Sequence, residues 1–279
     1  MNTEKSMTGS HKAWADQAHA VHFDALSGLP GFLLRRSYER FNEIQLLNEA
    51  LDRRTGQTRL LEVGCATGEM YRYLKLRHPR LTYTGCDISR PALERACQKY
   101  PAEGLFIETD VCLKAVSHLN PDILFCRDVA HHQPDPVGFI RQLYDMTQNL
   151  LVMRVRTRDV GETVRNPTRS CQFHAGFWVP YIVFNSQELL KEIEQFLPRP
   201  RVVHLVKHYM VLGGQHERYL PKDCYYKETM TAESALIIEK GDGTGPCIFR
   251  EEVMSENLQL SLVSRALSLL ARRGNRKPL

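Results

Sequence analysis

The chain has 279 residues, of which 43% are hydrophobic, 25% charged and 9% aromatic, proportions that exclude a disordered, collagen-like or solenoid protein. A chain of this length can bury about three-quarters of its unfolded surface and needs no staples. Thirty-seven basic against 32 acidic residues leave a net charge of +5, too mild by itself to demand a nucleic-acid partner.

No stretch approaches the roughly 20 consecutive apolar residues of a membrane span. The N-terminal sequence lacks the apolar run of a secretory signal. Together these predict a soluble, cytoplasmic protein. The eight cysteines (Cys65, Cys86, Cys97, Cys112, Cys126, Cys171, Cys224, Cys247) contain no C-x-x-C pair. Cys65, Cys86, Cys112 and Cys126 fall in or beside expected buried strands, which suits reduced apolar residues rather than a disulfide framework or zinc site.

In chain order, residues 1–12 read as a tail, and 13–27 and 31–53 as helices separated by the turn signal Ser27-Gly28-Leu29-Pro30-Gly31. Leu33, Leu34, Phe41, Ile44, Leu47 and Leu51 recur at helical spacing. Short apolar runs then follow at 59–64, 81–87, 105–107, 122–126 and 150–155, separated by helical stretches at 67–77, 90–99 and 136–147. Strands alternating with helices predict βαβ units, a parallel sheet covered on both faces, and a doubly wound topology. A polar, aromatic-spotted segment reaches Asn185. A helix at 186–196 with Ser186 as N-cap follows, then strands at 202–206 and 235–239. The tail places Leu258, Leu262, Val263, Ala266, Leu267, Leu269 and Leu270 mostly on one helical face. Its basic end suits packing on the domain, a homodimer contact or an anionic membrane surface.

The most informative segment is Glu62-Val63-Gly64-Cys65-Ala66-Thr67-Gly68-Glu69, where a strand feeds a glycine turn that opens a helix. A dinucleotide fingerprint would put its last glycine at position 69, which is Glu69. Asp87 closes the second strand, 19 residues after Gly68. A carboxylate there can accept ribose hydroxyls. Glu108-Thr109-Asp110-Val111 closes the third strand, and Phe125-Cys126-Arg127-Asp128-Val129-Ala130-His131-His132 the fourth, followed by Pro134-Asp135-Pro136.

These elements, over residues 58–156, resemble class I S-adenosylmethionine-dependent methyltransferases, with E-x-G-x-A-x-G as motif I and alanine in place of its middle glycine. The resemblance implies an α/β fold, a doubly wound, seven-stranded Rossmann-like sheet. Residues 1–56 would form an N-terminal helical cap, 57–240 the methyltransferase domain, and 241–279 a C-terminal helical extension. It implies S-adenosyl-L-methionine as cofactor, with Glu62 at the methionine amino group and Gly64, Cys65, Ala66 and Gly68 wrapping the methionine and ribose. Asp87 and Ile88 would lie at the ribose, Asp110 and the Val111 amide at the adenine, and Arg127 beside the methionine end.

Methyl transfer from a sulfonium needs alignment and, for a hydroxyl acceptor, a base. His131 and His132, at the rim after the fourth strand, are the candidates, and His174 is a second. No metal is expected: His19 with His22 and His204 with His208 lack further ligands nearby. The segment 157–185, with Arg158, Arg165 and Arg169 among aromatic residues, is the expected acceptor-binding part. Guanidinium and ring pairs suit a small-molecule or glycan-type acceptor, an anionic one included. The alternatives are an RNA or nucleotide methyltransferase, told apart by whether those arginines line an open groove or a closed pocket, and a cofactor-binding regulatory protein without catalysis.

Overall fold

The computed structural model describes residues 11–15, 29–102, 105–166, 169–174, 176–212 and 230–254. Parallel strands β1 (Arg59–Val63), β2 (Thr82–Asp87), β3 (Phe106–Glu108), β4 (Ile123–Arg127) and β5 (Leu150–Arg158) alternate with helices, as the hydrophobic runs predict. Ahead of them lie α1 (Gly31–Glu39) and α2 (Asn42–Asp52). Between and after them come α3 (Glu69–Arg77), α4 (Arg90–Lys99) and α5 (Pro136–Met146). A hairpin of β6 (Cys171–His174) and β7 (Phe177–Pro180) leads to the two-residue β8 (Phe184–Asn185) and α6 (Ser186–Glu194). Strands β9 (Val202–Tyr209), β10 (Thr231–Glu239) and β11 (Ile248–Val253) complete the sheet.

The sheet order is β11-β9-β10-β5-β4-β1-β2-β3, with β8 paired to the end of β5. Strand β10 runs antiparallel to both β5 and β9. The seven expected strands are all present. The sheet has nine because β8 and the exposed edge strand β11 join it.

Side-chain alternation along the strands divides the core in two. Leu61, Val63, Leu124, Cys126, Leu151 and Met153 face α5 and α6. Leu60, Ile123, Phe125, Leu150 and Val152 face α1, α2 and α3, meeting Leu34, Ile44, Leu47 and Tyr73. Chain order reverses between the paired strands β1 and β4, and doubly wound folds bind ligands outside the C-terminal strand ends at such a switch point.

Several sequence expectations need correction. Residues 31–53 form two helices, broken at Arg40 and Phe41, because Phe41 takes an extended conformation (φ −89°, ψ 135°). Residues 11 and 12 are helical rather than tail. Asn185, not Ser186, caps α6, its side chain accepting from the Gln187 and Glu188 amides. Asp135 caps α5 in the same way, accepting from the Gly138 amide. Cys65, Cys86 and Cys126 are buried and free, but Cys112 is exposed, in the turn after β3. The extension at 241–279 begins with β11 rather than a helix. The expected amphipathic helix from Leu258, like most of the 13–27 helix, lies outside the described residues. No helix among the described residues is long and apolar enough to cross a membrane.

Candidate active site

The turn after β1 is built by glycine and by backbone hydrogen bonds. Gly64 sits at φ +83°, and a Cβ there would lie 2.4 Å from Val129 Cγ2. Gly68 sits at φ +78°, and a Cβ there would lie 2.7 Å from Phe106 Cζ. Both positions therefore need glycine on conformational and steric grounds. Ala66 also adopts a left-handed conformation, φ +46°, a costly state for a residue with a Cβ. The amides of Gly64 and Cys65 donate to the Cys86 carbonyl, and that of Gly68 to the Cys65 carbonyl. A bare cradle at the mouth of α3 results, with room for a ligand where side chains would otherwise stand.

Asp87 holds this cradle in place. Its Oδ2 accepts the Ala66 amide at 2.8 Å and its Oδ1 the Ser89 amide at 2.9 Å. Burial raises its pKa, and the amides of Ser89, Ala66 and Ile88 pull it back. The carboxylate thus has a structural duty that the sequence does not disclose, and replacing it cannot leave the fold untouched. Each oxygen retains a lone pair for a further donor.

Glu62 is buried beside it and accepts a short hydrogen bond from Tyr83. Burial pushes its pKa up to about 8, opposed by the Tyr83 hydroxyl and the charge of Arg127. Asp110, exposed, caps the following turn by accepting the Lys114 amide at 3.1 Å. Arg127 stacks on Phe41 at 4.2 Å, and its Nε lies 2.9 Å from Glu43 Oε1 on α2.

The pair His131–His132 occupies a 3₁₀ turn (Ala130–His132) immediately after β4, and both rings are buried. His132 Nδ1 lies 2.7 Å from the Pro180 carbonyl. A carbonyl only accepts, so Nδ1 carries the proton and Nε2 is the basic nitrogen. Burial lowers the His132 pKa to about 4, against the favourable Pro180 contact and the Asp128 charge. His131 is lowered well below the ordinary value by burial, with His132 and Arg156 adding to the effect. The ordinary value near 6.5 that an unperturbed histidine would have does not hold here.

One cavity of about 480 Å³ joins these groups. It is lined by Glu62, Gly64, Cys65, Ala66, Asp87, Ile88, Asp110, Val111 and Arg127, by His131 and His132, and by His174. Of the residues singled out in sequence, Gly68 helps shape the turn but is not itself part of the lining. Arg158, Arg165 and Arg169 stand elsewhere. Arg158 Nε donates to the Val160 carbonyl, Arg165 pairs with Glu192, and Arg169 lies in an exposed turn.

The arginines that do line the cavity are Arg154 and Arg156. They continue the Leu150–Val152 face of β5. Asp128, at φ +59°, takes both of them, Arg154 closely and Arg156 at 3.1 Å, and Glu233 on β10 adds contacts at 3.4 and 3.0 Å. These charges hold the Asp128 carboxyl well below its ordinary range. Sequence reasoning missed these two arginines, and also Trp14, Gln172 and Tyr181, which line the cavity too. The Arg154-x-Arg156 alternation on an otherwise apolar strand was the available signal.

No three His, Cys, Asp or Glu side chains among the described residues converge to hold a metal ion. The cradle, by contrast, fits an adenosylmethionine: two obligatory glycines, a strand-end carboxylate and an open cavity.

Comparison with known proteins agrees. Residues 61–149 match the family described as a methyltransferase domain. The fold is similar to that of the plantazolicin methyltransferase BpumL, solved with a pentazolic desmethylPZN analog and SAH. That match has 16% identity, covers 85% of this chain and 98% of that one, and gives a TM-score of 0.50. Others are magnesium protoporphyrin IX methyltransferase from Synechocystis PCC 6803 with bound SAM (14% identity, 83% and 97% covered, TM-score 0.46) and the N-terminal domain of EvdMO1 with SAH bound (14%, 71% and 79%, 0.49). No curated protein matches the chain. Over residues 61–149 the chain carries a methyltransferase domain. It is an S-adenosyl-L-methionine-dependent methyltransferase.

Proposed function

We propose that this enzyme methylates an oxygen of a small-molecule acceptor bound in the part of the cavity beyond His132, with His132 Nε2 as the base. The observation that carries the reading is the continuity of one cavity from the glycine turn to the His131–His132 pair, with the tautomer of His132 set by the Pro180 carbonyl.

When bound, S-adenosyl-L-methionine supplies a sulfonium-activated methyl group. The turn at Gly64, Cys65, Ala66 and Gly68 would receive its methionine and ribose. Asp87 and Ile88 would receive the ribose edge, Asp110 and Val111 the adenine, and Glu62 with Arg127 the charged methionine end. The remaining residues align the acceptor. Its hydroxyl proton would pass to His132 Nε2 as the methyl carbon exchanged its bond to sulfur for one to the acceptor oxygen, with neutral S-adenosylhomocysteine as the leaving group, and the proton would go on to solvent. The low pKa of His132 keeps Nε2 free at neutral pH at the expense of basicity. Arg154 and Arg156 offset that by favouring negative charge on the acceptor oxygen.

Cavity size supports a small molecule over a nucleic acid, since about 480 Å³ is the scale of a ligand pocket. Arg158, Arg165 and Arg169 stand outside this cavity and so favour neither the small-molecule nor the RNA reading. A glycan-type acceptor fits the same space. The 1–56 cap and 157–185 segment contribute Tyr38, Gln172, His174 and Tyr181 to the wall, which supports the division into cap, core and acceptor segment.

The test is transfer from S-adenosylmethionine labelled in its methyl group to phenols, sugars and a short RNA in parallel. Label on a small-molecule hydroxyl is expected, and label confined to RNA or to amines would refute the reading. His132→Ala should then lower kcat at least about a hundredfold with cofactor affinity unchanged. The wild-type rate should be flat from pH 6 to 8 and fall only toward about pH 4. A profile rising through 6.5 would show that another group is the base.

A further inference from the structure

The end of the cavity beyond His132 is walled by rings. Trp14 stacks on His174 with centroids 4.4 Å apart and planes 19° from parallel, and lies 4.4 Å from His132. His131 lies 4.0 Å from His132 and meets Tyr181 edge-on at 5.3 Å. These rings come from helical residues 11–15, the turn after β4, strand β6 and the segment between β7 and β8. Only the folded chain brings them together. Stacked and edge-on contacts are the geometry that receives a flat π-system.

Buried polar atoms without a partner among the described residues indicate what this end must receive. Arg156 is buried, its Nε donates to Tyr181 Oη at 3.2 Å, and its Nη2 pairs with Asp128 and Glu233. Those contacts fix the guanidinium plane and leave Nη1 without a partner among the described residues. His131 Nδ1 and His11 Nε2 are likewise buried and unpartnered among them. A guanidinium nitrogen can only donate, so an acceptor oxygen must complete Arg156. A buried donor is costly to leave unmet. A pyranose fits the volume but has no planar π-face to lay against these rings.

We infer that this end of the cavity binds a planar aromatic acceptor with an oxygen substituent, its ring against the Trp14–His174–His132 wall and an oxygen received by Arg156 Nη1. The inference rests on the reading of this space as the acceptor site. It makes Arg156 and His174 specificity determinants, Arg156 for the oxygen and His174 for the ring.

The test uses the full chain saturated with S-adenosylhomocysteine and three probes: 4-nitrophenol, chlorobenzene, which has no acceptor oxygen, and methyl α-glucoside. Binding of 4-nitrophenol is followed by difference absorbance, and the other two compete against it. Saturable 4-nitrophenol binding is expected, with displacement by chlorobenzene only at clearly higher concentration and none by the glucoside. Arg156→Lys should weaken 4-nitrophenol at least fivefold and leave chlorobenzene unchanged, while His174→Ala should weaken both. Should Arg156→Lys fail to fold, His174→Ala and the weaker binding of chlorobenzene to the parent enzyme carry the test. Calorimetric affinity for S-adenosylhomocysteine, measured on every variant, separates the two readings. If it is intact while 4-nitrophenol fails to bind, binds the variants as it binds the parent, or yields to the glucoside, the aromatic-acceptor inference falls alone. If S-adenosylhomocysteine does not bind the parent, the proposed site itself falls.

Discussion

Asp87 offers the sharpest test of the cofactor cradle, because it ties that cradle to fold stability. Asp87→Ala removes the acceptors of two amides, Ala66 and Ser89. Each orphaned buried donor costs about 1–3 kcal/mol. Ser89 is fully buried while Ala66 lies at the cavity wall, where water can reach its amide. The expected loss is therefore about 2–4 kcal/mol, a large share of the 5–15 kcal/mol typical of a domain. The same change releases Ala66 from its left-handed conformation. It also deletes the carboxylate proposed to meet the ribose, for a further about 1.5–3 kcal/mol in cofactor binding. That corresponds to tenfold to a hundredfold or slightly more in Kd. Asp87→Asn keeps one acceptor oxygen and should fall between. Urea denaturation reads the first effect, and calorimetry with S-adenosylhomocysteine on the folded fraction reads the second. Asp87→Ala as stable as the parent would refute the capping role. A folded Asp87→Ala that binds S-adenosylhomocysteine with parental affinity would refute the ribose assignment.

The steric claim at Gly64 predicts that Gly64→Ala loses about 2–5 kcal/mol, about 1–2 from the left-handed backbone and 1–3 from the contact with Val129. Adding Val129→Ala should recover part of the loss in urea melts, and a double variant no better than the sum of the singles would disprove the contact. For Glu62, burial favours the protonated carboxyl, so its folded pKa exceeds its unfolded one. The stability it contributes is full below about pH 4.5 and is lost as pH rises to about 8. Thermal melts of the ligand-free protein should accordingly show Tm falling over this window, less steeply in Glu62→Gln, and equal slopes would contradict the assignment.

How far the sequence reveals this site depends on the range of the interaction that makes each part. The glycine turn, the strand-end Asp87 and the histidine pair are local: a strand, a turn and the first residues of a helix lie within a few positions of one another. Motif spacing and the family resemblance picked them out, while hydrophobic periodicity located the five parallel strands and α3 to α5. The acceptor wall is not local. Trp14 reaches His132 and His174 across more than a hundred positions, and Pro180 fixes the tautomer of a histidine 48 residues away. Arg165 and Arg169 stand out in a polar loop, and such residues are the ones that find surface partners and water. Arg154 and Arg156 sit in an apolar strand, where a charge survives only if another part of the fold neutralises it. Here Asp128 and Glu233 do so, and neither is recognisable as a partner until β4, β5 and β10 lie side by side. An arginine inside a predicted buried strand is thus a better pointer to a site than several in a loop, because burial obliges the fold to supply its counter-charges and fixes the direction of whatever donor remains.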